Sequence, residues 1–102
     1  MTPEAIKKAL VEACPTIIKQ SDLGIWMWRD GKMWDLCLHN DPLQDLNAIQ
    51  RVARERFKDW EDGDRLYTEL CRLADKTSRW VWQLTAADWC EALLRTTGGW
   101  RE

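Results

Sequence analysis

The amino-acid sequence predicts a small α+β domain in which helices pack on a β-hairpin. Two apolar, tryptophan-bearing runs flank Asp30-Gly31, a dipeptide typical of a tight hairpin turn. Most of the remaining chain carries apolar residues at helical spacing, between residues that favour helix ends. Because an isolated hairpin is only marginally stable in water, the helices are expected to cover it.

The length and composition indicate one folded domain over residues 1–102. Hydrophobic residues make up 45% of the chain, which argues against disorder. The net charge of −2 gives no overall attraction to nucleic acid or to an anionic membrane. The N-terminal stretch has no unbroken apolar run, so we predict neither a signal peptide nor a membrane span and expect a cytoplasmic protein.

The first helix is predicted to begin at Pro3 with Thr2 as its N-cap. Proline suits the first helical position, and a threonine oxygen can accept a bond from a free backbone N–H. Pro15 disfavours helical geometry at Cys14, so the helix should end there. Residues 16–23 show no clean period and are expected to form a connection.

The hairpin is predicted over residues 24–38 with Asp30-Gly31 as a two-residue turn, which pairs Trp28 with Met33. A longer turn would exchange the residues of the two faces. Neither face is clearly polar, so both are expected to be at least partly covered. One face carries Trp26, Trp28, Met33 and Asp35, and the other carries Ile25, Met27, Trp34 and Leu36.

Two helices are predicted after the hairpin. The first begins at Asp41-Pro42, where Gln44 completes a capping box, and ends at Asp62-Gly63 as the longest helix of the chain. Asp64 is expected to cap the next helix, which breaks at residues 76–78. The apolar stripe of the long helix consists of Leu43, Leu46, Ile49, Ala53, Phe57 and Trp60.

Residues 79–84 alternate in character and place Trp80, Trp82 and Leu84 on one side, which predicts a third strand. The expected sheet is therefore three-stranded and of antiparallel type, made of the hairpin and residues 79–84. The predicted element order is α-β-β-α-α-β-α.

The last helix is predicted to begin at Thr85, because Asp88 stands at capping-box spacing from it. Gly98-Gly99 supplies the stop. Trp100 is expected to fold back on the body of the domain.

Three stretches of the chain carry a resemblance. They are Met1–Leu10 continued by Glu12–Cys14, then Asp45–Ile49, and finally Leu84–Ala87 with Glu91–Thr96 up to Gly98 and Trp100. Together they resemble a family of short, uncharacterised proteins of tailed phages and prophages, related to the phage α-β-α sandwich domains. The chain departs from that family at Leu43, where an aromatic residue is usual, and in its tryptophan-dense hairpin. The resemblance implies a phage or prophage source and a sandwich-like fold, and it carries no activity or functional residue.

Catalytic chemistry has little support in the sequence. The single histidine, His39, follows Cys37 by two residues, and a nucleophile and its base must lie within hydrogen-bond reach. On a strand the two Cβ atoms would stand about 6–7 Å apart, and no third group orients the pair. A buried cysteine beside a loop histidine explains the pair as well. No nucleotide-binding or hydrolase motif occurs, so we predict a protein without enzymatic activity or cofactor.

Metal binding is not predicted either. The four cysteines include no C-x-x-C pair, and most of them lie among apolar neighbours as small hydrophobic residues. The acidic residues within 59–64 lack the spacing of a calcium-binding loop, and a solvated connection between helices explains them.

Two features favour binding. On the second helix, Asn47, Arg51, Arg54 and Lys58 share one stripe that could bind phosphates or an acidic protein patch, although a solvated face explains it equally well. The second feature is the content of eight tryptophans, and an exposed tryptophan often marks an interface.

The tryptophans divide into two groups. Trp34, Trp60 and Trp89 are expected in the core. One of Trp26, Trp28, Trp80, Trp82 and Trp100 is expected at the surface. Packing of all eight in the core and its rim is the alternative.

The sequence therefore predicts a small accessory protein that acts by binding another protein. The resemblance adds a host complex, such as a defence system, as one form of partner. The alternative is nucleic-acid binding through the basic stripe or the tryptophan-bearing sheet, and a homodimer is left open. The candidate interaction surface comprises Trp26, Trp28, Arg51, Arg54, Lys58 and Trp100.

Overall fold

The computed structural model describes residues 1–30, 33–36 and 41–101 of the chain. They form an α+β fold, which confirms the predicted class. In chain order the elements are α1 (Pro3–Ala13), β1 (Ile18–Gln20), β2 (Trp26–Asp30), β3 (Met33–Leu36), α2 (Leu46–Arg56), α3 (Trp60–Lys76), a 3₁₀ turn (Val81–Gln83) and α4 (Ala86–Thr97).

The ends of α1 and α4 confirm the local signals of the sequence. The Thr2 hydroxyl accepts a 3.2 Å hydrogen bond from the Ala5 N–H, and α1 ends before Pro15. The Asp88 N–H donates to the Thr85 hydroxyl at 3.3 Å, and the Asp88 carboxylate accepts from the Thr85 N–H at 3.0 Å. These reciprocal bonds satisfy two backbone donors that a helix start leaves unpaired.

The three strands lie in the order β1-β2-β3 and are antiparallel. The expected connection over residues 16–23 is wrong, because it contains β1, which pairs Ile18 with Trp28. A three-residue strand is too short to show a period in the sequence. A turn with hydrogen bonds between Ser21 and Ile25 brings β1 alongside β2.

The hairpin register differs from the predicted one by two residues. Trp28 pairs with Asp35, and Asp30 is the last strand residue before the loop, opposite Met33. A shift of the register by an even number of residues leaves each residue on the face that was predicted for it. Trp26 and Trp28 therefore still share one face of the sheet, and Met27 and Trp34 share the other. Gly31, one half of the predicted turn, lies outside the described residues.

The predicted third strand over residues 79–84 is wrong. The Gln83 N–H donates to the Trp80 carbonyl at 2.9 Å, and the Trp80 N–H donates to the Gln83 side chain at 2.9 Å, which closes a 3₁₀ turn. An ion pair of 2.7 Å between Arg79 and Asp88 fixes this turn to the start of α4. These local hydrogen bonds pair backbone groups of the segment without a partner strand. The predicted element order is therefore wrong as well.

The single long helix predicted from Asp41 is also wrong. The Asp41 carboxylate accepts from the Leu43 N–H at 2.9 Å and closes only one turn. Helix α2 begins later, where the Asp45 carboxylate accepts from the Ala48 N–H at 3.0 Å.

Helix α2 ends at Arg56 because the chain then bends. Asp59 has the extended backbone of an N-cap, with φ −75° and ψ 142°, which no residue inside a helix adopts. The next helix, α3, begins at Trp60 and is the longest, with 17 residues. Gly63, expected as a helix stop, lies inside its first turn.

Helix α4 occupies the centre of the fold and contacts α1, α2 and α3. Its residues Cys90, Leu93 and Leu94 are fully buried. One face of the sheet packs into this core through Ile18, Trp26 and Trp28, which are buried. On the opposite face Met27, Arg29 and Trp34 are half-buried. Helices therefore bury one face of the sheet more deeply than the other.

Two glycines are expected to respond to alanine in opposite directions. Gly98 ends α4 at φ 82°, where a Cβ is strained, so Gly98→Ala should lower the free energy of unfolding by about 1 kcal/mol. Gly63 is helical, and an added Cβ meets only the Phe57 carbonyl at 3.7 Å, so Gly63→Ala should raise it by about 0.5–1 kcal/mol. Urea denaturation of the two variants measures both changes in the free energy of unfolding. A stabilising effect of Gly98→Ala would contradict the assigned end of α4.

Candidate interaction surface

The structure buries one part of the predicted interaction surface and exposes another. Trp26 and Trp28 are buried on the core face of the sheet, so neither indole is offered to a partner. Trp100 folds back as predicted: its backbone N–H donates to the Leu94 carbonyl, and its ring packs half-buried on the core. The Arg95 guanidinium lies 5.2 Å from the centre of that ring. Of the three tryptophans in the predicted surface, Trp100 alone is half-buried and the other two are buried.

The basic part of the predicted surface is exposed on α2. Arg51 and Arg54 lie one turn apart on its solvent side, and Lys58 follows just beyond the helix end. Lys58 forms a 3.0 Å ion pair with Glu55, so part of its charge is balanced within the protein. The arginines give α2 a positive outer edge.

Trp60 is 86% exposed, so its expected place in the core is wrong. The bend at Asp59 rotates Trp60 away from the apolar stripe that a continuous helix would have formed. Tyr67 lies seven residues later, on the same side of α3, and is 59% exposed. One sequence signal could have identified this pair. If Asp59 is taken as the N-cap of a helix, Trp60 and Tyr67 fall on one side of that helix.

Trp60 and Tyr67 border an open depression of about 430 Å³ at the junction of α2 and α3. Its lining comprises Phe57, Lys58, Asp59, Trp60, Gly63, Asp64 and Tyr67. A second depression, of about 270 Å³, shares Phe57 and Gly63 with the first and extends to Arg54. The α2–α3 surface, as we name it, comprises Arg51, Arg54, Lys58, Asp59, Trp60, Asp64 and Tyr67.

The α2–α3 surface has opposite charges on its two sides. The α2 side carries the exposed Arg51 and Arg54, whereas Asp59 and Asp64 stand beside the aromatic rings on the α3 side. Neither of these two carboxylates forms an ion pair with any residue that the structure describes. The surface is therefore bipolar, with the aromatic side chains on its acidic side.

The Tyr67 phenol is a hydrogen-bond donor at neutral pH. A side-chain hydrogen bond with Cys71, one turn further along α3, raises the pKa of Tyr67 above its usual value. The ring therefore presents a neutral aromatic face, and its hydroxyl is already hydrogen-bonded to Cys71.

A second pair of exposed aromatic residues lies beyond the C-terminal end of α3. Trp80 immediately precedes the 3₁₀ turn and Trp82 is its middle residue, and they are 70% and 78% exposed. Helix α3 has 17 residues and spans about 25 Å, so this pair is well separated from Trp60.

Two of the described cysteines, Cys14 and Cys90, are not poised for nucleophilic chemistry. Burial raises the pKa of the Cys14 thiol to about 11 and that of Cys90 to about 12, so both stay protonated at neutral pH. Their burial confirms the predicted role as small hydrophobic residues. The pair of Cys37 and His39 lies outside the described residues, and within the described ranges no group of three or more acidic, cysteine or histidine side chains is placed to hold a metal ion.

The sheet is a weaker candidate for stacking nucleic-acid bases. Trp34 is half-buried, and the Lys19 ammonium lies 4.2 Å from the centre of its ring. That lysine already occupies one face of the indole.

No protein-family model, curated protein or solved structure matches the chain. The resemblance to phage and prophage proteins accordingly stays a prediction. Among the described residues, none of the helices combines the length and the apolar character needed to cross a membrane.

Proposed function

We propose that this protein is a small non-enzymatic accessory protein that binds another protein through the α2–α3 surface. The observation that carries the proposal is the exposure of Trp60 and Tyr67 on one side of α3, where both line the same depression. Exposing an indole to water costs free energy that a partner can recover by covering it. Tryptophan, tyrosine and arginine are also the residues that most often dominate binding energy at protein interfaces.

The charge pattern favours a protein partner over nucleic acid. A phosphate backbone is uniformly negative, so it would be attracted by Arg51 and Arg54 and repelled by Asp59 and Asp64. A folded protein can present an acidic group to α2 and a basic group to α3 at the same time. The bipolar surface therefore supports a partner of mixed charge.

The resemblance to phage proteins suggests which kind of partner the protein binds. A host complex in the bacterial cytoplasm, such as a defence system, is the partner that this resemblance suggests. Binding to such a complex would inhibit or redirect it by covering one of its surfaces. A homodimer formed through the same surface would appear as a doubled mass in light scattering.

Trp60→Ala is expected to weaken partner binding by at least about 30-fold, because an interface tryptophan typically contributes 2 kcal/mol or more. Tagged wild-type and variant proteins are incubated with bacterial lysate, and captured proteins are quantified by mass spectrometry. The affinity for the purified partner is then measured.

The matched control is Trp82→Ala, which removes an equally exposed indole beyond the other end of α3. We expect this variant to bind the partner like the wild type. Equal binding by wild type and Trp60→Ala, or loss of binding only in Trp82→Ala, would contradict the assignment of the α2–α3 surface.

Nucleic-acid binding is the second candidate, supported by the exposure of Arg51 and Arg54 on neighbouring turns. Its signature would be a gel shift that weakens steeply with salt and disappears in the double variant Arg51→Glu with Arg54→Glu. Under the favoured proposal no DNA or RNA produces a shift, even at low salt.

A further inference from the structure

We infer that the depression beside Trp60 receives an arginine side chain of the partner protein. The inference rests on the proposed function and names the chemistry of one contact within the α2–α3 surface. Trp60 and Tyr67 supply exposed aromatic rings at the depression, whereas Phe57 is buried and the Arg56 guanidinium lies 5.4 Å from the centre of its ring. Asp59 and Asp64 supply negative charge, and Lys58, the cation among the described residues of the lining, is paired with Glu55. These groups favour an occupant that is cationic and covers an aromatic ring.

The aromatic rings attract a cation. A positive group over the face of an indole or a phenol is drawn to the electrons of the ring, and tryptophan is the strongest such partner. Trp60 is 86% exposed, and its indole therefore has room for a guest group beside it. Cations of the protein already contact other aromatic rings, as Lys19 does at Trp34 and Arg95 at Trp100.

The carboxylates make the depression complementary in charge to a cation. Neighbouring acids are already used within the described chain: Glu55 pairs with Lys58 at 3.0 Å, and Asp62 pairs with Arg65 at 3.8 Å. Asp59 and Asp64 have no such ion pair among the described residues, although both line the depression. Because Lys58 is paired with Glu55, the two aspartates are the charged residues of this lining that have no ion pair among the described residues.

Arginine fits this arrangement better than lysine. Its planar guanidinium can lie flat on an aromatic ring while its N–H groups bond to a carboxylate in the plane of the group. It is also more weakly hydrated than an ammonium group, so less hydration is lost on binding. A depression of about 430 Å³ has the size of a small-ligand cleft, which one side chain can enter.

The test uses a blocked hexapeptide of glycine and serine with one central arginine. Peptides with lysine or citrulline at that position are the matched probes, since citrulline keeps the shape of arginine without its charge. Binding to the whole protein is followed by two-dimensional NMR of the tryptophan indole N–H groups, with the Trp60 signal assigned from Trp60→Phe.

The arginine peptide is expected to shift the Trp60 indole signal with a dissociation constant in the range of about 0.1–5 mM. The citrulline peptide should bind at least about tenfold more weakly, and the lysine peptide should fall between them. Added salt should weaken the arginine peptide, because both carboxylates are exposed to solvent.

The double variant Asp59→Asn with Asp64→Asn should weaken the arginine peptide at least about tenfold. Asparagine is as good an N-cap as aspartate, so the start of α3 is retained. Asp75→Asn, at an exposed acid near the other end of α3, is the matched control and should leave binding unchanged.

Equal binding of the arginine and citrulline peptides, or no shift of Trp60 at about 5 mM arginine peptide, would overturn the inference. The failure of the proposed function would look different. If partner capture survives in Trp60→Ala, docking through this surface is wrong. If capture is lost in Trp60→Ala but kept in the double asparagine variant, docking stands and the arginine contact is wrong.

Discussion

Replacement of Trp28 by alanine is expected to lower the free energy of unfolding by about 3–5 kcal/mol. The indole is only 4% exposed, and its backbone lies on the central strand, opposite Ile18 of β1. Removing it leaves a large cavity between the sheet and the helices. A domain of this size has a total stability of about 5–15 kcal/mol, so denaturant melts should show a large loss.

The same site allows a sharper comparison. The Trp28 indole N–H is buried without a hydrogen-bond partner among the described residues. Trp28→Phe removes this unsatisfied donor and keeps an aromatic ring, so it should cost clearly less than Trp28→Ala. Trp60→Ala should change stability by less than about 0.5 kcal/mol, because its indole is in water. Unchanged stability in Trp28→Ala would place this residue at the surface instead.

Leu93→Ala is expected to cost about 2–5 kcal/mol, because Leu93 is fully buried on the helix that contacts all the others. The loss combines the transfer of apolar groups to water with the cavity that the surrounding helices cannot fill. Thermal melts followed by circular dichroism measure the change.

Ala87→Ser on the first turn of the same helix is the control, since Ala87 is exposed. Its effect should stay within about 0.5 kcal/mol. A similar loss in both variants would mean that α4 responds to helix propensity and does not form the centre of the core.

The parts of the fold that the sequence predicted correctly are those with local causes. Thr2, the pair of Thr85 and Asp88, and Gly98 act within one helical turn, through a side-chain oxygen or a backbone angle. Such signals lie entirely within a few neighbouring residues. Both end helices were therefore predicted with nearly correct bounds.

The errors arose where a distant partner decides the structure. Ile18–Gln20 becomes a strand only because β2 pairs with it, and its three residues carry no period of their own. Residues 79–84 have the alternation of a strand, but local hydrogen bonds around Trp80 satisfy them first. The residue pattern alone does not show whether such a segment pairs with a neighbouring strand or closes a local turn.

The candidate surface was partly predictable. Arg51, Arg54 and Lys58 were identified because exposed charges on a helix follow its period. Trp60 was predicted in the core because the bend at Asp59 was missed. Trp26 and Trp28 were candidates for exposure because the pattern of a strand does not show which face of a sheet is buried, and the structure buries both. The missed helix boundary accounts for the error at Trp60 alone.

The central position of α4 also has a consequence during synthesis. Ribosomes make the chain from its N-terminus, and α4 emerges after α1, α2 and α3. Until then α1, α2 and α3 lack the helix that all of them contact, and their apolar faces remain open. The nascent chain is therefore expected to fold only after Thr97 has left the exit tunnel, and to depend until then on chaperones that cover apolar surface.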